Sequence, residues 1–148
     1  ADILRDSYGI NVDLWSATSY KSLRDDAMEV ERWNRLHPSQ PRRTSIIDRT
    51  LGANDLPIVA VSDFMRIVSE QIAPYLPGRR FLSLGTDGMG RSDTRESLRR
   101  FFETDAQHVV VATLTALVGT HGITDATIEK AITDLGIDPE ATNGLSRD

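Results

Sequence analysis

The run Gly85-Thr86-Asp87-Gly88-Met89-Gly90-Arg91-Ser92-Asp93 constrains this chain more than any other stretch, because an apolar strand, Phe81 to Leu84, leads into it and a helix-forming run, Thr94 to Phe102, leads out. A chain that leaves a strand through a glycine-rich turn and enters a helix at once is laying down an α/β unit, and such folds carry function at that end of the sheet. The three glycines permit positive φ, and Asp93 with Glu96 three residues on forms a capping-box pattern that starts the helix. On this reading, Val at either Gly88 or Gly90 should cost about 1 kcal/mol or more through disfavoured φ.

The rest of the chain supplies matching elements. Asp2 to Tyr8 reads as a helix stopped by Gly9, and Val12 and Leu14, alternating with Asn11 and Asp13, as a strand ending near Trp15. Ser19 can cap a helix to about Leu36, with Leu23, Ala27, Val30 and Asn34 on one face and His37-Pro38 as its stop. Pro38 to Arg43 is irregular and basic, Ser45 to Leu51 a short helix, and Ile58-Val59-Ala60-Val61 a buried strand. Phe64, Ile67, Val68 and Ile72 keep helical spacing after a cap at Ser62 or Asp63, and Pro77-Gly78 closes that helix before the next strand. Strand, helix, strand in this order implies parallel pairing.

The triple valine at 109–111 favours a strand by propensity. Thr104 with Gln107 as a capping box, and the period of Val110, Leu114 and Leu117, make it a helix up to Gly119 instead. Thr124 caps a last helix with Ile128, Ala131, Ile132 and Leu135 inward and Gly136 as its stop, and residues 137–148 read as a loose tail. The expected architecture is one domain over 1–148, a three-layer α/β/α arrangement around a small, mostly parallel sheet.

Composition narrows the function classes. A chain of 148 residues with 39% hydrophobic and 26% charged side chains can bury one ordinary core. Seventeen basic against 22 acidic residues leave a formal charge of −5, the wrong sign for a general nucleic-acid binder. With no cysteine, disulfide scaffolds and thiolate metal sites are excluded, and His37, His108 and His121 lack zinc-ligand spacing. No run approaches the ~18 apolar residues of a membrane helix. A cytoplasmic setting fits, and the start Ala1-Asp2-Ile3-Leu4-Arg5, without Met or a signal pattern, reads as cut from something longer.

Four blocks carry a family likeness: GTDGMGRSDTRESLRRFFETD at 85–105, Asp13-Leu14-Trp15-Ser16-Ala17-Thr18-Ser19-Tyr20, Glu31-Arg32-Trp33-Asn34-Arg35-Leu36-His37-Pro38, and Val61-Ser62-Asp63-Phe64-Met65. In order and spacing they resemble the homodimeric pyruvate dehydrogenase decarboxylase component, over about Asp2 to Leu117, within a last domain of transketolase C-terminal fold. The resemblance implies a parent that decarboxylates pyruvate on thiamine diphosphate with Mg²⁺ and acetylates lipoyl groups of a dihydrolipoyl acyltransferase within a multienzyme complex. It also implies that the cofactor sits between two preceding domains, on a Gly-Asp-Gly motif followed by roughly thirty residues and an Asn pair that offer oxygen ligands to a hard cation. Thr86-Asp87-Gly88 is only superficially similar, since the one later asparagine is Asn143. No catalytic, cofactor or metal residue is therefore expected in this segment. The family's domain opens with a strand absent here, which would leave a neighbouring strand exposed.

Two groups remain as candidate interaction residues. Asp87, Gly88, Gly90, Arg91, Ser92, Asp93 and Arg95 form a loop expected at an active-site entrance; Gly88 and Gly90 either cradle an anion with help from Arg91 or serve only a tight turn, and the turn is favoured. Arg95 and Arg99, one helical turn apart, either meet a partner carboxylate or lie on a solvated face on which Glu96 satisfies Arg100. Arg32, Arg35, Arg42 and Arg43 form a basic patch, with Arg49, opposed only by Asp48 in that interval, that either docks another domain or chain or serves ordinary solubility. Trp15 and Trp33 read as core or interface anchors. The expected role is a non-catalytic domain that supports dimer and active-site architecture; the alternative is a docking or regulatory module for the acyltransferase or another protein, which salt-sensitive binding would reveal.

Overall fold

The computed structural model describes residues 1–52 and 54–145. Its elements run α1 (Asp2–Tyr8), α2 (Tyr20–Leu36), α3 (Ile46–Leu51), β1 (Ile58–Val61), α4 (Arg66–Glu70), a 3₁₀ turn (Ala73–Tyr75), β2 (Phe81–Leu84), α5 (Arg95–Phe101), α6 (Ala106–Leu117) and α7 (Asp125–Asp134). β1 and β2 pair in parallel, from Ile58 opposite Phe81 to Val61 opposite Leu84, and the crossover between them carries α4. Among the described residues the sheet has two strands, with helices against both faces.

Each face has its own core, as strand alternation requires. Ile58 and Phe81 pack with Ala27, Leu23, Ile47, Ile72 and Leu76, joining α2, α3 and the crossover. On the other side α6 lies over both strands, and its Val110, Leu114 and Leu117 pack with Leu4, Ile123 and Ala131 from α1, the turn before α7 and α7 itself. This is the three-layer α/β/α arrangement read from the sequence. Arg80 ties α6 to the sheet end, its Nη1 donating to Thr115 O at 2.8 Å and Ala116 O at 3.2 Å.

The helices begin and end for local reasons. Ser19 Oγ accepts from Ser22 N, Ser45 and Asp48 exchange a full capping box, and Thr124 does the same with Thr127. Gly9 ends α1 in the left-handed region at φ +65°.

Four expectations shift. Residues 11–15 form no strand: Ile10 and Val12 rest on the α6 core, whereas Leu14 and Trp15 are 80% and 64% exposed. Alternation alone does not make a strand; a ladder partner must supply the hydrogen bonds, and none does so among the described residues. The helix expected from Ser62 starts only at Arg66, because Ser62 Oγ accepts from Phe64 N and holds a turn. Ser69 is its buried residue, Ile72 beyond its end is buried as the spacing predicts, Phe64 and Ile67 are exposed, and Pro74 converts the continuation into a 3₁₀ turn. The caps of α5 and α6 are Thr94 and Asp105, each one residue later than the capping-box patterns indicated. Of the expected tail, 146–148 lie outside the described residues; 138–145 turn back across the molecule, with Ala141 N bonded to Asp138 O.

Candidate functional site

The loop after β2 is fastened to the loop after β1. Thr86 N donates to Phe64 O at 3.0 Å, and Thr86 Oγ1 to Asp63 O at 2.9 Å. Asp87 Oδ2 accepts from both Arg66 N at 3.0 Å and Arg66 Nε at 3.1 Å, and its side chain is only 18% exposed. Gly85 lets the loops approach this closely, since a Cβ there would lie 2.4 Å from Phe64 O. Asp87 thus points inward and caps the start of α4.

The two loop glycines differ. Gly88 has φ +97°, and a Cβ on it would fall 1.6 Å from Gly144 O. Gly90 has negative-region backbone and open space around the position of its Cβ, so the expectation that Val there would be strained is overturned. What meets Gly88 is a carbonyl oxygen, a poor neighbour for an anion, and the tight turn accounts for it.

Beyond Gly90 the side chains turn outward. The Arg91 guanidinium lies 4.8 Å from the Phe101 ring centroid and 3.6 Å from Asp93 Oδ2. Asp93 Oδ1 accepts from Thr94 N at 2.8 Å, and Ser92 is exposed. Arg95 and Arg99 share the rim of a shallow groove of about 210 Å³ with Asp63 and Thr86, over Leu98 and Phe102. Arg100 pairs with Asp105 at 3.1 Å and also donates to Gly136 O, not with Glu96 as the i,i+4 rule suggested. The loop residues are therefore one structural unit, with Asp87 turned in against Arg66, Gly88 backed by Gly144, and Arg91, Ser92, Asp93 and Arg95 facing out.

The basic patch is divided. Arg43 is locked in place: its guanidinium lies 4.1 Å from the Trp33 ring centroid, and its backbone N and O bond to Asn34 at 2.8 and 2.9 Å. Trp33 stacks in turn on His37 with centroids 4.5 Å apart. Arg42, Arg43 and Arg49 line an open cleft of about 400 Å³ with Asp26 and Glu29, so acids from α2 oppose the arginines that Asp48 alone seemed to oppose. Arg35 lies 4.0 Å from Glu31 on the exposed side of α2, and Arg32 is exposed.

His108 is fixed by a neighbouring carboxylate. Half-buried, it places Nδ1 2.6 Å from Asp105 Oδ1 at the start of α6. Among the described residues no three His, Asp or Glu side chains gather in a metal-binding group, and no helix is long and apolar enough to cross a membrane. Asp87, the one carboxylate in the segment similar to a metal motif, commits its Oδ2 to the backbone N–H and the Nε of Arg66. Sequence reading missed Arg66 and Gly144, the two residues that grip this loop, because both contacts are long-range.

An α/β domain whose sheet is flanked by helices and whose loop is pinned by Asp87 matches the family model described as "Transketolase-like TK C-terminal domain" over residues 1–105, and the chain belongs to that family. Within it the similarity is specific. The chain is 45% identical over 145 residues to the pyruvate dehydrogenase E1 component of Pseudomonas aeruginosa, covering 98% of this chain and 16% of that protein. It is 42% identical over 143 residues to the E1 component of Escherichia coli K12 and 41% over 146 residues to that of Cupriavidus necator, covering 97% and 99% of this chain and 16% of each relative. The chain thus spans about one-sixth of the length of the relatives it matches.

Proposed function

We propose that this chain is the C-terminal domain of a cytoplasmic, homodimeric, thiamine-diphosphate- and Mg²⁺-dependent pyruvate dehydrogenase, and that it carries no catalytic group of its own. In this reading it packs against the domains that hold the cofactor. Its loop Asp87 to Asp93 faces the entrance used by the lipoyl groups of the dihydrolipoyl acyltransferase. The observation that carries the reading is the near-complete coverage of the chain by E1 components at 45% identity. The inward commitment of Asp87 supports a structural role for the loop's base, and the outward Arg91, Ser92 and Asp93 an interacting role for its tip.

The test uses the complete enzyme that contains this segment. Arg91→Ala and Asp93→Ala should each slow turnover or lipoyl-domain acetylation while the enzyme retains thiamine diphosphate. Normal rates in both variants would reduce the loop to a turn. The chain by itself should show no Mg²⁺-dependent binding of thiamine diphosphate in calorimetry, and micromolar binding would overturn the assignment.

A second reading, docking of the acyltransferase or another protein, rests on the cleft lined by Arg42, Arg43 and Arg49, where these three arginines outnumber the acids Asp26 and Glu29. Binding through it should weaken with salt and be lost in Arg42→Glu.

A further inference from the structure

Two glycines far apart in sequence meet backbone to backbone beneath the loop. A Cβ on Gly88 would fall 1.6 Å from Gly144 O and 2.4 Å from Gly144 C. A Cβ on Gly144 would fall 2.4 Å from Asp87 O and 2.8 Å from Cδ1 and Cε1 of Phe102. On the loop side the neighbours are backbone, which cannot swing aside as the end of a long side chain would. The contact therefore requires glycine at both positions.

Gly144 touches both ends of the loop at once. Asp87 and Gly88 begin it, and Phe102 immediately follows α5, the helix into which it runs. The segment is held in register by its own bonds: Asn143 Nδ2 donates to Glu103 Oε1 at 3.3 Å, and Leu145 N donates to Asn143 Oδ1 at 2.9 Å. The loop base is thus gripped at two adjacent residues, by Arg66 through Asp87 and by residues 143–145 through Gly144.

We propose that residues 143–145 are a clamp that closes the Asp87–Thr94 loop across its base and so sets where Arg91, Ser92 and Asp93 are presented. The clamp is independent of the parent activity; its consequence for lipoyl acetylation rests on the functional reading above. A loop bridged at its base samples fewer conformations than one joined only by its own chain. Displacing Gly144 releases the tip without touching either sheet or core.

The test is Gly144→Val in the full chain, with Ala141→Val as a control that places the same side chain at an exposed position of the same segment. Two readouts are followed, trypsin cleavage after Arg91 and amide exchange along the chain. Gly144→Val should accelerate cleavage after Arg91 by about tenfold and speed exchange from Met89 to Asp93, in proportion to the larger open population. The amides of α6 should keep their protection, and Ala141→Val should behave as the parent sequence does. Unchanged cleavage and exchange at the loop would overturn the clamp. Equal loss of protection in α6 would overturn it as well, by making the segment part of the general core. In the complete enzyme, accelerated cleavage with normal lipoyl acetylation would keep the clamp and refute the functional role of the loop.

Discussion

Asp87 shows how a single side chain can tie two loops together. Its carboxylate accepts from the Arg66 backbone and guanidinium and leaves those donors satisfied. Asp87→Ala should therefore destabilise the chain by about 1–2 kcal/mol, chiefly by stranding the Arg66 N–H, and urea denaturation would read this as a lower midpoint at unchanged m. The glycines make a sharper pair. Gly88→Ala should cost well over about 1 kcal/mol, from positive φ and the Gly144 carbonyl together, whereas Gly90→Ala should stay within about 0.5 kcal/mol. Equal effects would mean that the loop does not have the geometry described. From sequence the two were indistinguishable: composition reveals that a turn needs glycine, but which glycine is decided by a neighbour 56 positions downstream of Gly88, at Gly144.

At the scale of elements, what was legible was what is local. Helix starts announced themselves through Ser19, Ser45 and Thr124, and α6 through its apolar period despite three consecutive valines, because caps and periodicity act within a few residues. Strand formation is not local. β1 and β2 were readable as dense apolar runs; residues 11–15 had the alternation without the partner. The displaced cap of α5 follows from competition: Asp93 spends Oδ1 on Thr94 N, the nearest donor, and Thr94 Oγ1 takes Ser97 N. Thr94→Ala should accordingly cost about 1 kcal/mol, seen in thermal denaturation, while Asp93→Ala should cost less, since it leaves the cap itself in place.

For the whole molecule, the two faces of the sheet bear separate cores, and α6 is the keystone of one of them. Leu114 is fully buried between α1, α6 and α7, so Leu114→Ala should destabilise by about 3 kcal/mol, and the loss should register in chemical denaturation regardless of any effect at the loop. The candidate site was legible as a stretch of sequence and not as an arrangement. Its seven residues are contiguous enough to be singled out, yet their division into an inward base and an outward tip depends on Arg66, Phe101 and Gly144, which arrive from three other parts of the chain.

The meeting of Gly88 and Gly144 also joins two codons into a single heritable unit. Even one methyl at either position meets backbone already in place, so neither glycine can be replaced unless the path of the chain shifts in both segments together. Drift around Gly144 is thereby answerable to a loop encoded far upstream.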